Sequence, residues 1–228
     1  MPAGSTTFLH APDGDPFEVY IATPDERTGP ALIIFSPIFG VDHDVKVLAD
    51  RWAARGYTVA APDYFARVEP GVIDRSAEGR ERAFARWNRL DVDRAVSDMT
   101  VLRDHLLLEP GRKLGVLGYC AGGEIAFLCG TRLGIGAVAT FHGTRIDRHL
   151  DEADRISAAT FHFGGSDSLV PLQTVDAIEG AFGGNRRVSV HVYPGAEHGF
   201  SFEGRPSYDK VAATESDRHA QELFATLR

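Results

Sequence analysis

Apolar residues along this chain fall into two kinds of run. Short stretches such as Ala31-Leu32-Ile33-Ile34-Phe35 and Tyr57-Thr58-Val59-Ala60-Ala61 are almost continuously apolar, as strands buried on both faces are. Leu114 to Leu117, Gly136 to His142, Ala159 to Phe163 and Arg187 to Tyr193 read as four further strands, and Phe17-Glu18-Val19-Tyr20-Ile21 alternates as an edge strand would. Between them lie longer stretches with helical spacing. Val45 to Arg55 is one, closed by Gly56 as its C-terminal glycine. Glu81 to Leu107 is another, with a break near Leu90-Asp91, and Tyr208 to Leu227 closes the chain as an amphipathic helix; residues 64–78 read as loop. Strands alternating with helices predict an α/β fold, with a mostly parallel central sheet and helices on both faces. No repeat, low-complexity stretch or long linker interrupts the pattern, so residues 1–228 are expected to form a single domain.

Composition narrows the classes of function. The net charge of −8 argues against a nucleic-acid or anionic-membrane partner. No apolar run approaches the roughly 20 residues that span a bilayer, and Met1-Pro2-Ala3-Gly4-Ser5 does not read as a secretory signal. Two cysteines do not make a disulfide framework. A cytoplasmic monomer or homodimer acting on a small molecule is the expectation.

Chemistry enters at Gly118-Tyr119-Cys120-Ala121-Gly122. Set between the strand Leu114–Leu117 and the apolar stretch Ile125–Leu128, it is the G-x-S-x-G nucleophile elbow with sulfur in place of the serine oxygen. Two further loops follow strands: Gly164-Gly165-Ser166-Asp167, with Val170-Pro171, and Pro194-Gly195-Ala196-Glu197-His198-Gly199-Phe200. The chain order nucleophile, acid, histidine is that of α/β-hydrolases. Loops beyond the carboxyl ends of parallel strands converge on one edge of the sheet, so distant residues can meet. A free cysteine has a pKa of about 8.5 and is mostly protonated at neutral pH. It therefore needs an imidazole to take its proton and a carboxylate to orient that imidazole. Cys120 is the expected nucleophile, His198 the base and then acid, and Asp167 the orienter. The backbone N–H groups of Ala121 and Ile38 are the expected oxyanion donors. Cys129, next to Phe127 and Leu128, reads as core, and His142 and His162 as packing or pocket-wall residues. The histidines and cysteines show no metal-ligand spacing, and neither metal nor cofactor is expected.

With these pieces placed, the chain resembles the dienelactone hydrolase family, the cysteine branch of the α/β-hydrolases, over nearly its whole length. Ile38-Phe39-Gly40-Val41, Ala61-Pro62-Asp63-Tyr64-Phe65-Ala66-Arg67, the elbow, the Asp167 loop and His198-Gly199-Phe200 carry the resemblance. It implies a carboxymethylenebutenolidase-like hydrolase of small enol-lactones, acting through an acyl-cysteine without cofactor, often in aromatic catabolism. It also implies substrate contacts at Arg80, Phe84 and Trp87, in a segment similar to the family's R-x-x-A-Y-x-x-W, and at Phe39 and Phe202. Three positions depart from the family. Pro37 replaces a glutamate that helps form the thiolate, Phe84 replaces a tyrosine, and Phe202 replaces a second substrate-binding arginine. These departures point equally to a more apolar ester or lactone. Two alternatives stand beside hydrolysis: a catalytically weak ligand-binding or regulatory protein, and an acyltransferase.

Overall fold

Where the strands end decides where the functional loops lie. The computed structural model describes residues 3–25 and 29–228, and they divide into two compact units, Met1–Leu114 and Gly115–Arg228.

In the first unit, β1 (Ser5–His10), β2 (Pro16–Ala22), β3 (Ala31–Phe35) and β4 (Thr58–Pro62) lie in the order β1-β2-β4-β3. Both contacts of β2 are antiparallel, and β3 runs parallel to β4. The alternation of residues 17–21 predicts an edge strand, but β2 has a strand on each side. Its outer neighbour β1 has no fully buried side chain, so it carries no hydrophobic period for the sequence to reveal. Helices α1 (His43–Ala53), α2 (Ala77–Asn88) and α3 (Val92–Leu106) start at Asp42, Ser76 and Asp91, whose side chains accept from the backbone N–H three residues on. The cap at Asp91 is the physical reason for the break between α2 and α3. The cap at Ser76 starts α2 inside the stretch read as loop.

In the second unit β5 (Leu114–Tyr119), β6 (Ala137–Phe141), β7 (Ala159–Gly164) and β8 (Val188–Tyr193) run parallel in chain order. Helices α4 (Gly122–Arg132), α5 (Leu172–Ala181) and α6 (Lys210–Ala225) and a 3-10 segment (Ile146–Arg155) connect or close them. Neither α5 nor the 3-10 segment was legible from the apolar spacing. Helix α4 is buried from Gly122 to Thr131, the mark of a core helix rather than a surface one. Helix α6 buries Ala212, Ser216, Ala220 and Phe224 at four-residue spacing. A Cβ on Gly115 would lie 2.7 Å from the Phe224 ring, so this glycine lets the last helix close on β5. Each such buried phenylalanine contributes about 1.5–3 kcal/mol. The strands, mostly parallel and joined by helices, define an α/β fold.

Candidate active site

The registers of the second unit set four carboxyl strand ends side by side. Tyr119 pairs with Phe141, and Phe141 with His162. Gly164 pairs with Tyr193. The segments that leave these carboxyl ends are the elbow at Cys120, the turn His142–Arg145, the loop 165–167 and the loop 194–198.

Cys120 has a φ of 55°, in the left-handed region that a non-glycine residue occupies only under constraint. The constraint is visible in its bonds. Its N–H donates to the Phe141 carbonyl at 3.1 Å, and its carbonyl accepts from Gly123 at 2.9 Å and Thr144 at 3.0 Å. Gly118 allows the turn, because a Cβ there would fall 2.3 Å from the Gly122 carbonyl oxygen. The sulfur-bearing residue is 7% exposed. Ala121 opens α4 in helical conformation with no side-chain cap on the helix end. First-turn N–H groups of a helix have no partner within the helix, so this end presents donors.

The other two loops are laced together. Gly165 N–H donates to the Tyr193 carbonyl at 2.8 Å and Ser166 N–H to the Ala196 carbonyl at 2.9 Å. A Cβ on Gly164 would meet that Ala196 oxygen at 2.4 Å. This lacing delivers Asp167 to His198: the carboxylate Oδ2 lies 2.7 Å from His198 Nδ1. The other oxygen, Oδ1, accepts from the N–H groups of Leu169 at 2.8 Å and Val170 at 3.2 Å. Both carboxylate oxygens are thereby fixed, and the Asp167 side chain is fully buried.

The remaining ring nitrogen of His198, Nε2, is buried with no hydrogen-bond partner of good geometry. Burial pushes the His198 pKa down, but the charge of the Cys120 sulfur and the bond to Asp167 outweigh it, raising the value to about 10. His142 sits edge-on to this ring, with centroids 4.7 Å apart, and its Nε2 is 3.0 Å from Ser201 Oγ. Burial, then the charges of His198 and Arg205, hold His142 well below the ordinary histidine range. Of two touching imidazoles, one is charged and one neutral. Phe202 is buried against Tyr119 at 5.3 Å, and the Arg205 guanidinium lies 3.5 Å over its face. Cys129 is fully buried in α4, and burial pushes its thiol pKa up.

Ile38, Phe39, Arg80, Phe84 and Trp87 belong to the first unit. Ile38 is buried, and its carbonyl accepts from the Arg86 guanidinium. The Phe39 carbonyl accepts from Ile73 N–H at 3.0 Å, and the Arg75 guanidinium lies 4.5 Å over the Phe39 ring. On α2, Arg80 is exposed, Phe84 is half-buried 6.1 Å from the Trp87 ring, and Trp87 is buried.

Two groups carry weight that the sequence reading did not assign. Arg86 is wholly buried, donating also to the Glu69 and Gly71 carbonyls at 3.0 and 2.7 Å and lying over Phe65. Asp63 holds the same loop from below, accepting from Gly71 N–H at 2.6 Å. Gly79, Ala83, Arg86 and Trp87 share the buried face of α2, so the helical period was the signal for Arg86. His142 left no such signal, because its role follows from a backbone turn.

A cysteine elbow, an aspartate loop and a histidine loop, each following a parallel strand in that order, define a protein of the α/β-hydrolase class. Residues 17–228 match the dienelactone hydrolase family, and the chain belongs to that family. It is similar to the carboxymethylenebutenolidase of Pseudomonas putida, 28% identical over 221 residues that cover 95% of this chain and 94% of the relative. Carboxymethylenebutenolidase 1 of Cupriavidus pinatubonensis is 26% identical, with 94% of each chain covered. A solved dienelactone hydrolase-like promiscuous phosphotriesterase from metagenomic libraries matches with a TM-score of 0.76 at 24% identity, covering 99% of both chains; that likeness is one of fold. The protein is an ester or lactone hydrolase. Among the described residues, no helix is long and apolar enough to cross a membrane, and no group of three or more His, Cys, Asp or Glu side chains could hold a metal ion.

Proposed function

We propose that this hydrolase cleaves a small ester or enol-lactone through an acyl-cysteine, with Cys120 as nucleophile, His198 as acid and base, and Asp167 as orienter. The observation that carries the reading is the buried Asp167–His198 bond of 2.7 Å, on a ring whose other nitrogen is buried and whose pKa is raised by the Cys120 charge.

In the reactive state the ring holds a proton and the sulfur carries the negative charge. Sulfur attacks the acyl carbon, and the oxyanion that forms meets the N–H groups at the start of α4, Ala121 first. Collapse breaks the acyl C–O bond, and His198 Nε2–H gives its proton to the departing oxygen. Acylation removes the sulfur's negative charge, which is the largest influence raising the His198 pKa. The ring, now neutral, takes a proton from water as the water oxygen attacks the thioester. Expulsion of sulfur returns the thiolate–imidazolium pair and releases the carboxylic acid. The same group thus serves as acid in one half-reaction and base in the next, because its charge partner is consumed between them.

Residues 1–228 act in this reading as one domain, in keeping with a family match from residue 17 to the last residue. A reducing cytosol suits a thiol nucleophile, and the net charge of −8 does not suit nucleic acid. Turnover of nitrophenyl acetate, with mass spectrometry of quenched enzyme, tests the reading. Cys120→Ala is expected to remove turnover and His198→Gln to retain no steady hydrolysis, while the wild type shows an acyl adduct on the Cys120 peptide. Wild-type rates in either variant would overturn it.

A further inference from the structure

Among the described residues, the non-glycine residues with positive φ are Cys120 at 55°, His142 at 44° and Arg145 at 60°. All three lie at one place. Two belong to the turn His142–Arg145, and the third is the residue that this turn grips, through the bond from Thr144 N–H to the Cys120 carbonyl at 3.0 Å. The turn reaches the elbow because two glycines meet: a Cβ on Gly123 would lie 2.4 Å from Gly143 Cα. Left-handed conformations in non-glycine residues cost free energy and persist only where their surroundings enforce them. Here the enforcement fixes the backbone of the turn that carries Arg145 against the elbow that carries Cys120.

The surroundings of Arg145 are charged. Its side chain is half-buried, which with Arg148 opposes its charge, whereas Glu124 and Cys120 favour it. Glu124 lies four residues beyond Cys120, in the first turn of α4, with its side chain 3% exposed. One of its carboxylate oxygens is 2.9 Å from His149 Nε2, and the other is buried without a hydrogen-bond partner. A buried carboxylate and the elbow cysteine therefore both favour the charge of this half-buried guanidinium, from outside the acid–histidine pair.

We propose that Arg145 is a positioning residue that shares with His198 the task of holding negative charge on the Cys120 sulfur, with Glu124 anchoring the turn that presents it. The inference rests on the reading of Cys120 as nucleophile and supplies what Pro37 cannot, since proline neither ionises nor accepts a proton. His198 lies on the loop after β8 and Arg145 on the turn after β6, so the two charges come from different segments. Asp167 acts through His198, and Glu124 acts through Arg145. His142 is kept neutral, so it adds no competing charge, and the Arg205 guanidinium is engaged over Phe202.

Alkylation of Cys120 by iodoacetamide, followed by peptide mass from pH 5 to 10 on the full chain, tests this. At pH 6 the Arg145→Leu variant is expected to label about tenfold more slowly than wild type, the effect of removing one charge at intermediate distance. At pH 10 the two rates should converge. Arg145→Lys should stay within about threefold of wild type at every pH, because it keeps the charge. If Arg145→Leu does not fold, Arg145→Gln takes its place against Arg145→Lys. Superimposable profiles for wild type and the neutral variant would overturn the proposal, as would equal slowing by Lys and by the neutral residue. Failure of the hydrolytic reading looks different: Cys120→Ala would keep its turnover whatever the alkylation profile of Arg145→Leu.

Discussion

Two sets of imidazoles in the Gly115–Arg228 unit are pushed in opposite directions by their surroundings. His198 has a carboxylate at 2.7 Å and a cysteine sulfur beyond, and its pKa is raised to about 10. On the strands β7 and β8 and the helix α6, His162, His191 and His219 stack instead on one another, the last two with ring centroids 3.9 Å apart. The polar partners of His162 and His191 are hydroxyls, Thr160 Oγ1 and Tyr193 OH for the first and Ser189 Oγ for the second, whereas His219 at the edge of the stack meets the Arg218 guanidinium at 3.1 Å and the Glu222 carboxylate at 3.6 Å. Burial, then the neighbouring histidines, hold His162 well below the ordinary range. Burial also lowers His191, with His219 and Arg218 adding to it and Glu222 opposing. Burial is common to both groups, so the partner decides. A carboxylate makes a buried histidine a proton carrier; hydroxyls and a second ring make it a neutral packing group.

Replacing the partner should erase the difference, and this gives the largest expected effects. His198→Gln is expected to lower kcat for activated esters by about 10⁴-fold or more, the usual cost of removing a member of a catalytic triad. Asp167→Asn keeps the shape and removes the charge, and a loss of about 10³–10⁴-fold is expected. A kcat within tenfold of wild type for Asp167→Asn would mean that the carboxylate does not set the state of the ring.

The two groups should also bend the stability curve at opposite ends. His198 has a folded-state pKa above the ordinary value of about 6.5. Its contribution is complete below that pH and is lost as pH rises through about 10. Urea unfolding between pH 7 and 10.5 should therefore show an alkaline decline that is shallower in His198→Gln. His162 and His191 have lowered values, so their contribution is complete above about 6.5 and is lost as pH falls below it. Tm between pH 7 and 5 should fall in the wild type and fall less steeply in His162→Gln. The smallest effect is expected for His191→Gln, because that ring is only half-buried. An acid slope unchanged in both variants would show that the stack carries no linked protons.

Much of this was legible in the sequence for one physical reason. Strands buried on both faces leave continuous apolar runs, so Ala31–Phe35, Ala159–Phe163 and the strand before the elbow could be read directly. Cys120 and Asp167 follow such strands, His198 follows the only partly buried β8, and parallel topology places all three on loops leaving carboxyl strand ends. β1 could not be read, because a strand with no buried face has no period to show. The start of α2 within the predicted loop turned on a single cap, Ser76. Arg86 was hidden by its charge, although its spacing from Ala83 and Gly79 marks a buried face. His142 could be read only as a packing or pocket-wall residue, and Arg145 not at all: Gly143 marks a turn but not the left-handed conformation of the residues on either side of it, which bonds to the elbow enforce.

The claim that the partner sets the charge is tested most directly by following each imidazole by ¹⁵N NMR through a pH titration of wild type and Cys120→Ala. His198 is expected to remain doubly protonated to about pH 10 in the wild type. It should titrate at lower pH when the sulfur is absent, while His162 stays neutral down to pH 6 in both. A wild-type His198 that loses its proton near 6.5, or a His162 that is charged at pH 6, would contradict the account.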